Sequence, residues 1–178
     1  MNPFERLMSR LKSRDRRNAH ILGILQLDWP ASEGIIERLS CLLGDAIQAN
    51  REPVILTIVE KALLHYSHMV FHENRTKHED PVRLGAFLNT LITETCRALE
   101  LRVTDPRGAS WTIASGEPFA AWMSRHPGPL TIDPHPHRDE AALRALLYEF
   151  ITSESVKTVL RRAHLEITVD SDRLAAGY

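Results

Sequence analysis

Apolar residues recur along most of this chain at three- and four-residue intervals, which divides it into a succession of helices. The longest apolar run, EPVILTIVEKALLHYSHMVFHE from Glu52 to Glu73, is too long for a strand and carries apolar groups on most sides. It predicts a central helix packed on both flanks, with Pro53 at a first helical position where its missing N–H costs nothing. Upstream, Asn2 caps a helix that Pro3 begins, and Phe4, Leu7, Met8 and Leu11 form a narrow stripe beside several arginines. The segment AHILGILQLDWP is apolar at positions 21, 22, 24, 25 and 27 and prolongs that helix as far as Trp29-Pro30. Ser32 then N-caps a helix in which Ile35, Ile36, Leu39, Leu42, Leu43, Ala46 and Ile47 keep a helical period to Asn50. The short turn before Glu52 makes it the antiparallel neighbour of the central helix. After the polar HENRTKHED, Asp80 caps and Pro81 opens a helix that buries Leu84, Phe87, Leu88, Leu91, Ile92, Ala98 and Leu99.

Past Leu99 the period changes. Leu101 and Val103 alternate with polar residues, Asp105-Pro106-Arg107-Gly108 is a turn signal, and Trp111 and Ile113 alternate again, which predicts a β-hairpin. A lone hairpin is marginal in water, so further strands are expected at Leu130 to Ile132 and at Leu165 to Val169. Between them a short helix, Pro118 to Ser124, presents Phe119, Trp122 and Met123. The proline- and histidine-rich HPGPLTIDPHPHRDE leads into a last helix from about Asp139. That helix buries Leu143, Leu146, Leu147, Phe150 and Ile151, pauses at Thr152-Ser153, and resumes through Val156, Val159 and Leu160. The fold class this predicts is α+β and predominantly helical, an N-terminal helical bundle with a small antiparallel sheet and a C-terminal helix. Its expected divisions are a basic amphipathic N-terminal helix at 1–30, a single α+β domain at 31–170 and a flexible tail at 171–178.

Composition adds little pull in any direction. The chain has 178 residues, of which 43% are hydrophobic and 25% charged, with a net charge of −1, so nothing global draws it to nucleic acid or membrane. Cations are nonetheless concentrated at the start, where Arg6, Arg10, Lys12, Arg14, Arg16 and Arg17 face only Glu5 and Asp15. Cys41 and Cys96 have no CxxC partner and read as buried small apolar groups in a reducing interior. No run of 18 apolar residues and no clean cleavage site is present, so the expected location is the cytoplasm, with no transmembrane segment.

Two histidine groups carry the metal chemistry the sequence offers. His65, His68 and His72 fall within an arc of about 60° on one helical face. Histidines at i and i+4 can share one zinc ion and leave a position open for water. The glutamate of an HExxH pattern is missing, since Met69 follows His68. The second group is DPHPHRD, where His135 and His137 point the same way from an extended backbone and Asp133 or Asp139 could close a site. HxHxD there resembles part of the metal-binding motif of the metallo-β-lactamase fold, over five residues. Glu140 stands where that motif continues with histidine, and the chain is short for that fold. The more ordinary reading of both groups is polar residues on a helix face and on a surface loop.

Nucleic-acid binding has one local pattern. SESVKTVLRRA, after ALLYEFIT, resembles the recognition helix of a helix-turn-helix, with Lys157, Arg161 and Arg162 available for phosphates and Arg14, Arg16 and Arg17 as a second basic group. Phe150 stands where the tight turn usually has glycine, and Glu149 at a normally apolar position, so a broken amphipathic helix with a basic last turn fits as well. DPVRLGAFLNTLITETCRALEL, Asp80 to Leu101, is similar to the linker and first helix after the dimerisation domain of HWE and related histidine kinases. LRALLYEFITS echoes the helix that carries the ATP-site asparagine there. Tyr148 takes that asparagine's place and no glycine-rich lid follows; the resemblance would make the chain a degenerate relative with His20 as the phospho-acceptor. GxSxG, GxxxxGK[ST] and GxGxxG are all absent. The expected function is therefore a non-catalytic cytoplasmic regulatory or adaptor protein, acting through protein contacts as a possible homodimer and needing no cofactor. The alternatives are a DNA-binding regulator and a metal-dependent hydrolase whose histidines would hold zinc.

Overall fold

The computed structural model describes residues 3–43, 54–72 and 81–162. Among the described residues eight α-helices and three short strands follow in chain order. They are α1 (Pro3–Arg14), α2 (Arg16–Asp28), α3 (Ser32–Leu43), α4 (Val54–His72), α5 (Pro81–Ala98), β1 (Leu101–Thr104), β2 (Ser110–Trp111), α6 (Phe119–Arg125), β3 (Thr131–Pro134), α7 (Glu140–Ile151) and α8 (Glu154–Arg162). The fold is α+β and predominantly helical. Among the described residues no helix is long and apolar enough to cross a membrane. The sequence-predicted strand Leu165 to Val169 and the tail lie outside the described residues.

The first helix is not continuous to Trp29. Asp15 leaves helical geometry (φ −149°, ψ 124°) and its carboxylate accepts the Arg17 N–H at 2.8 Å, so it ends α1 and caps α2. An aspartate with arginines on both sides supplies a better cap than a helix interior. Met8 and Leu11 of α1 and Ile21, Leu22 and Leu25 of α2 join one core with the apolar faces of α3, α4 and α5. Ser32 begins α3 rather than capping it, and its hydroxyl is buried without a partner among the described residues.

The tightest helix pair is α4 with α5, and α4 touches α3 much less. Phe87 of α5 meets Tyr66 of α4 edge-on, ring centroids 6.5 Å apart. The Tyr66 hydroxyl donates to the Asp28 carboxylate at 2.7 Å, tying α2 to the pair. Burial, reinforced by Asp28, holds the Tyr66 phenol well above its usual range, and Arg83 opposes the shift.

Cys41 corrects the sequence reading. On α3 the buried residues Ile35, Ile36, Leu39, Ser40, Leu42 and Leu43 occupy one broad arc, and at about 100° per residue Cys41 falls with Glu33, Glu37 and Arg38 on the other. It is exposed. Cys96 is buried as expected, and that burial pushes its thiol up to about 11, which keeps it protonated and unreactive.

The sheet has the order β2-β1-β3, antiparallel throughout, with Val103 opposite both Trp111 and Ile132. Asp105 closes the β1–β2 turn: its carboxylate Oδ1 accepts the Arg107 and Ala109 N–H groups at 2.9 and 2.7 Å, and Gly108 supplies the left-handed residue at φ 86°. Ile113 leaves the predicted strand for a 3-10 turn, Ile113–Ser115, which ends on left-handed Gly116. Trp111 is buried, its indole N–H donates to the Glu117 carbonyl at 2.8 Å, and its ring meets Phe119 edge-on at 4.9 Å. That contact brings α6 to the sheet, whose covered face therefore continues the helical core.

Candidate functional site

A cleft of about 320 Å³ opens where the 3-10 turn, the β3–α7 loop and the start of α7 meet. Thr112 and Ala114 form one wall, Ala142, Leu143 and Leu146 the apolar side, and His135, His137, Arg138 and Asp139 the polar rim. The loop is held in place at both ends. The His135 N–H donates to the Glu100 carbonyl at 2.8 Å, extending the β1–β3 ladder by one step. Asp139 caps α7 by accepting the Ala142 N–H at 2.9 Å.

Between those anchors the side chains divide into committed and uncommitted groups. His137 Nε2 lies 2.6 Å from the Cys96 carbonyl, and because a carbonyl only accepts, Nε2 carries the proton and Nδ1 is left as acceptor in the neutral ring. The Asp139 carboxylate is occupied by the helix cap, and Glu140 pairs with Arg144 at 3.4 Å. His135 and Arg138 have no side-chain hydrogen bond or ion pair among the described residues. Leu146, expected in the core, is instead exposed at the cleft, because α7 buries the i, i+4, i+8 row Leu143, Leu147 and Ile151, which leaves Leu146 on its edge. Its methyls lie 3.6 to 3.7 Å from the Cβ position at Gly116.

The two histidine groups do not come together where both can be described. His65 Nδ1 meets the Thr90 hydroxyl at 3.0 Å, while His137 meets the Cys96 carbonyl. Those α5 positions are six residues apart, about 9 Å along the helix and about 120° around it. The side chains of His68 and His72 lie outside the described residues. Among the described residues no group of three or more His, Cys, Asp or Glu could hold a metal ion.

The basic residues are also dispersed. Lys157 is buried, and its ammonium sits 2.5 Å from Glu149 and 3.1 Å from Glu154, which hold it above the ordinary lysine range. It is thereby committed within the protein. Arg161 lies 3.7 Å from the same Glu154, and Arg162 is exposed. Arg14 pairs with Glu60 at 3.3 Å, while Arg16 and Arg17 are exposed at the start of α2. The α7–α8 connection is only Thr152-Ser153, and α8 packs on α5 with Val156 and Leu160 buried.

One pair escaped the sequence reading. His126 Nδ1 lies 2.8 Å from Asp105 Oδ2, and its ring stacks on Trp122 at 4.5 Å and 16°. Trp122 and His126 are four apart and so share a helical face, but nothing local marked Asp105, twenty-one residues earlier, as the partner. The hydrogen bond from His126, with those from the turn N–H groups, holds the Asp105 carboxyl below its ordinary range against the opposing effect of burial. A carboxylate with a lowered folded pKa contributes stability that is complete above its unfolded value of about 3.9 and is lost as pH falls through the folded value. Asp105→Asn is therefore expected to lower the urea midpoint by a steady amount between pH 7 and 5, with the gap to the parent closing below about pH 4. A gap unchanged at pH 3 would refute it.

No family model matches the chain, and neither curated proteins nor solved structures gave a match.

Proposed function

We propose that this chain is a non-catalytic cytoplasmic regulatory or adaptor protein that acts through contact with another protein, and that the cleft beside α7 is where the contact is made. The supporting observation is the make-up of that cleft. Leu143, Leu146, Ala142 and Ala114 give it an apolar side on which a partner side chain gains by burial, and Arg138 and His135 stand at its rim with uncommitted donors. The remaining polar groups are tied into the fold, His137 on Cys96 and Asp139 on α7, so they shape the cleft. At about 320 Å³ it lies at the small end of ligand pockets and suits one or two side chains of a partner.

The test is site-specific photo-crosslinking in cells. A photoreactive residue at Leu146 is expected to yield a discrete adduct with one other protein, absent when the same residue is placed at exposed Arg97 on α5. An adduct of two copies of this chain would identify the partner as a homodimer mate. Equal, diffuse labelling from both positions would overturn the proposal.

A further inference from the structure

We infer that the cleft recognises the free C-terminus of a partner protein, a terminal aliphatic residue whose side chain enters between Leu143 and Leu146 while its carboxylate meets Arg138. The inference rests on the protein-contact reading above and adds the chemistry of the partner.

Charge complementarity carries the first half. Of the acidic side chains that follow Arg138 into α7, Asp139 is taken up by the helix N-terminus and Glu140 by Arg144, whereas the Arg138 guanidinium is unmatched among the described residues. A guanidinium presents a planar fork of donors suited to a carboxylate. Apolar groups lie directly beside it in a space sized for one or two side chains, so charge and aliphatic group must arrive close together on the ligand. A C-terminal leucine or valine carries both in a single residue.

Both edges of the sheet, the two-residue β2 that runs into Thr112 and the β3 that runs into His135, argue for an end rather than a passing strand. The β1–β3 register continues into the His135–Glu100 bond, so Thr131, Asp133 and His135 turn their backbone groups toward β1, and Ile132 and Pro134 turn theirs outward. Pro134 has no N–H to donate, and Pro127, Pro129 and Pro136 bracket the strand. A four-residue edge protected in this way offers little ladder to an added strand. Recognition beside it must come from side chains and a terminal group, the end-capture mode of peptide binding.

The probe is a tetrapeptide ending in leucine, acetylated at its N-terminus, titrated into the ¹⁵N-labelled full chain and followed by amide shifts. With a free carboxylate it is expected to shift Ala114, His135, Arg138 and Ala142, and as the C-terminal amide to bind at least about tenfold more weakly. Arg138→Gln, a change at an exposed residue, should bring the free acid down to the level of the amide. Leu146→Ser should weaken both. Equal affinity of acid and amide overturns the inference, as does equal affinity of a C-terminally amidated peptide with an internal glutamate, or of isovalerate alone. Absence of any shift at millimolar peptide does the same. If the Leu146 crosslink still captures one partner while acid and amide bind alike, the protein-contact reading stands and only the end-capture chemistry falls.

Discussion

Trp111→Ala is expected to cost about 3–5 kcal/mol of folding stability, the range for removing a large aromatic side chain from a packed core. The side chain is almost wholly buried, and three elements depend on it. Its place opposite Val103 makes the short β1–β2 pairing worth forming, its edge-on contact with Phe119 docks α6, and its indole N–H satisfies the Glu117 carbonyl ahead of that helix. Alanine removes all three and leaves the carbonyl without its donor. Trp111→Phe separates them: the ring contact survives, the hydrogen bond does not, and the loss should be about 1–2 kcal/mol. Urea unfolding of both variants measures the difference. A Trp111→Ala loss below about 1 kcal/mol would mean that the sheet is held by something other than its inner face.

The helices were legible because each is announced by its own residues. Pro81 opens α5, Asp139 caps α7, and Thr152-Ser153 separates α7 from α8, all within one turn of chain. The break at Asp15 is equally local, but the apolar stripe runs on across it, so periodicity alone does not reveal it. Neighbours were harder to read than elements. A short connection points to α3 as a neighbour of α4, and the two do touch, but among the described residues α5 packs on α4 more extensively, with Phe87 edge-on to Tyr66. The cleft lies between these cases. The DPHPHRD pattern marks His135 and His137, yet their meaning depends on what each ring touches, and Cys96, Ala114 and Leu146 reach them only through the fold. Nothing in the DPHPHRD pattern itself marks Arg138. With Asp139 recognised as the α7 cap, the residue before it must stand outside the helix, and that signal was available.

Arg144→Met is expected to cost about 2–3 kcal/mol and to do so through one partner in particular. The side chain is nine-tenths buried, and its guanidinium donates to Asn89 Oδ1 of α5 at 2.7 Å and to the Thr93 hydroxyl at 3.0 Å and also reaches Glu140. Methionine fills much of the same space, so the loss comes less from packing than from leaving the buried Asn89 oxygen without a donor. On this account the two substitutions are not independent. Asn89→Leu alone takes one acceptor from the guanidinium and leaves it Thr93 and Glu140, Arg144→Met alone strands the amide oxygen, and the two together remove donor and acceptor at once, a replacement that approaches neutrality. The double variant should thus be more stable than the sum of the single losses predicts, by about 1–2 kcal/mol. Simple additivity would refute a specific coupling and reduce Arg144 to a space-filling stem. The cycle also bears on the cleft, because the same α5–α7 contact sets where Leu143 and Leu146 stand. A single variant that disturbs it should shift the Ala114 and Ala142 amides, and the double variant should return them toward their parental positions.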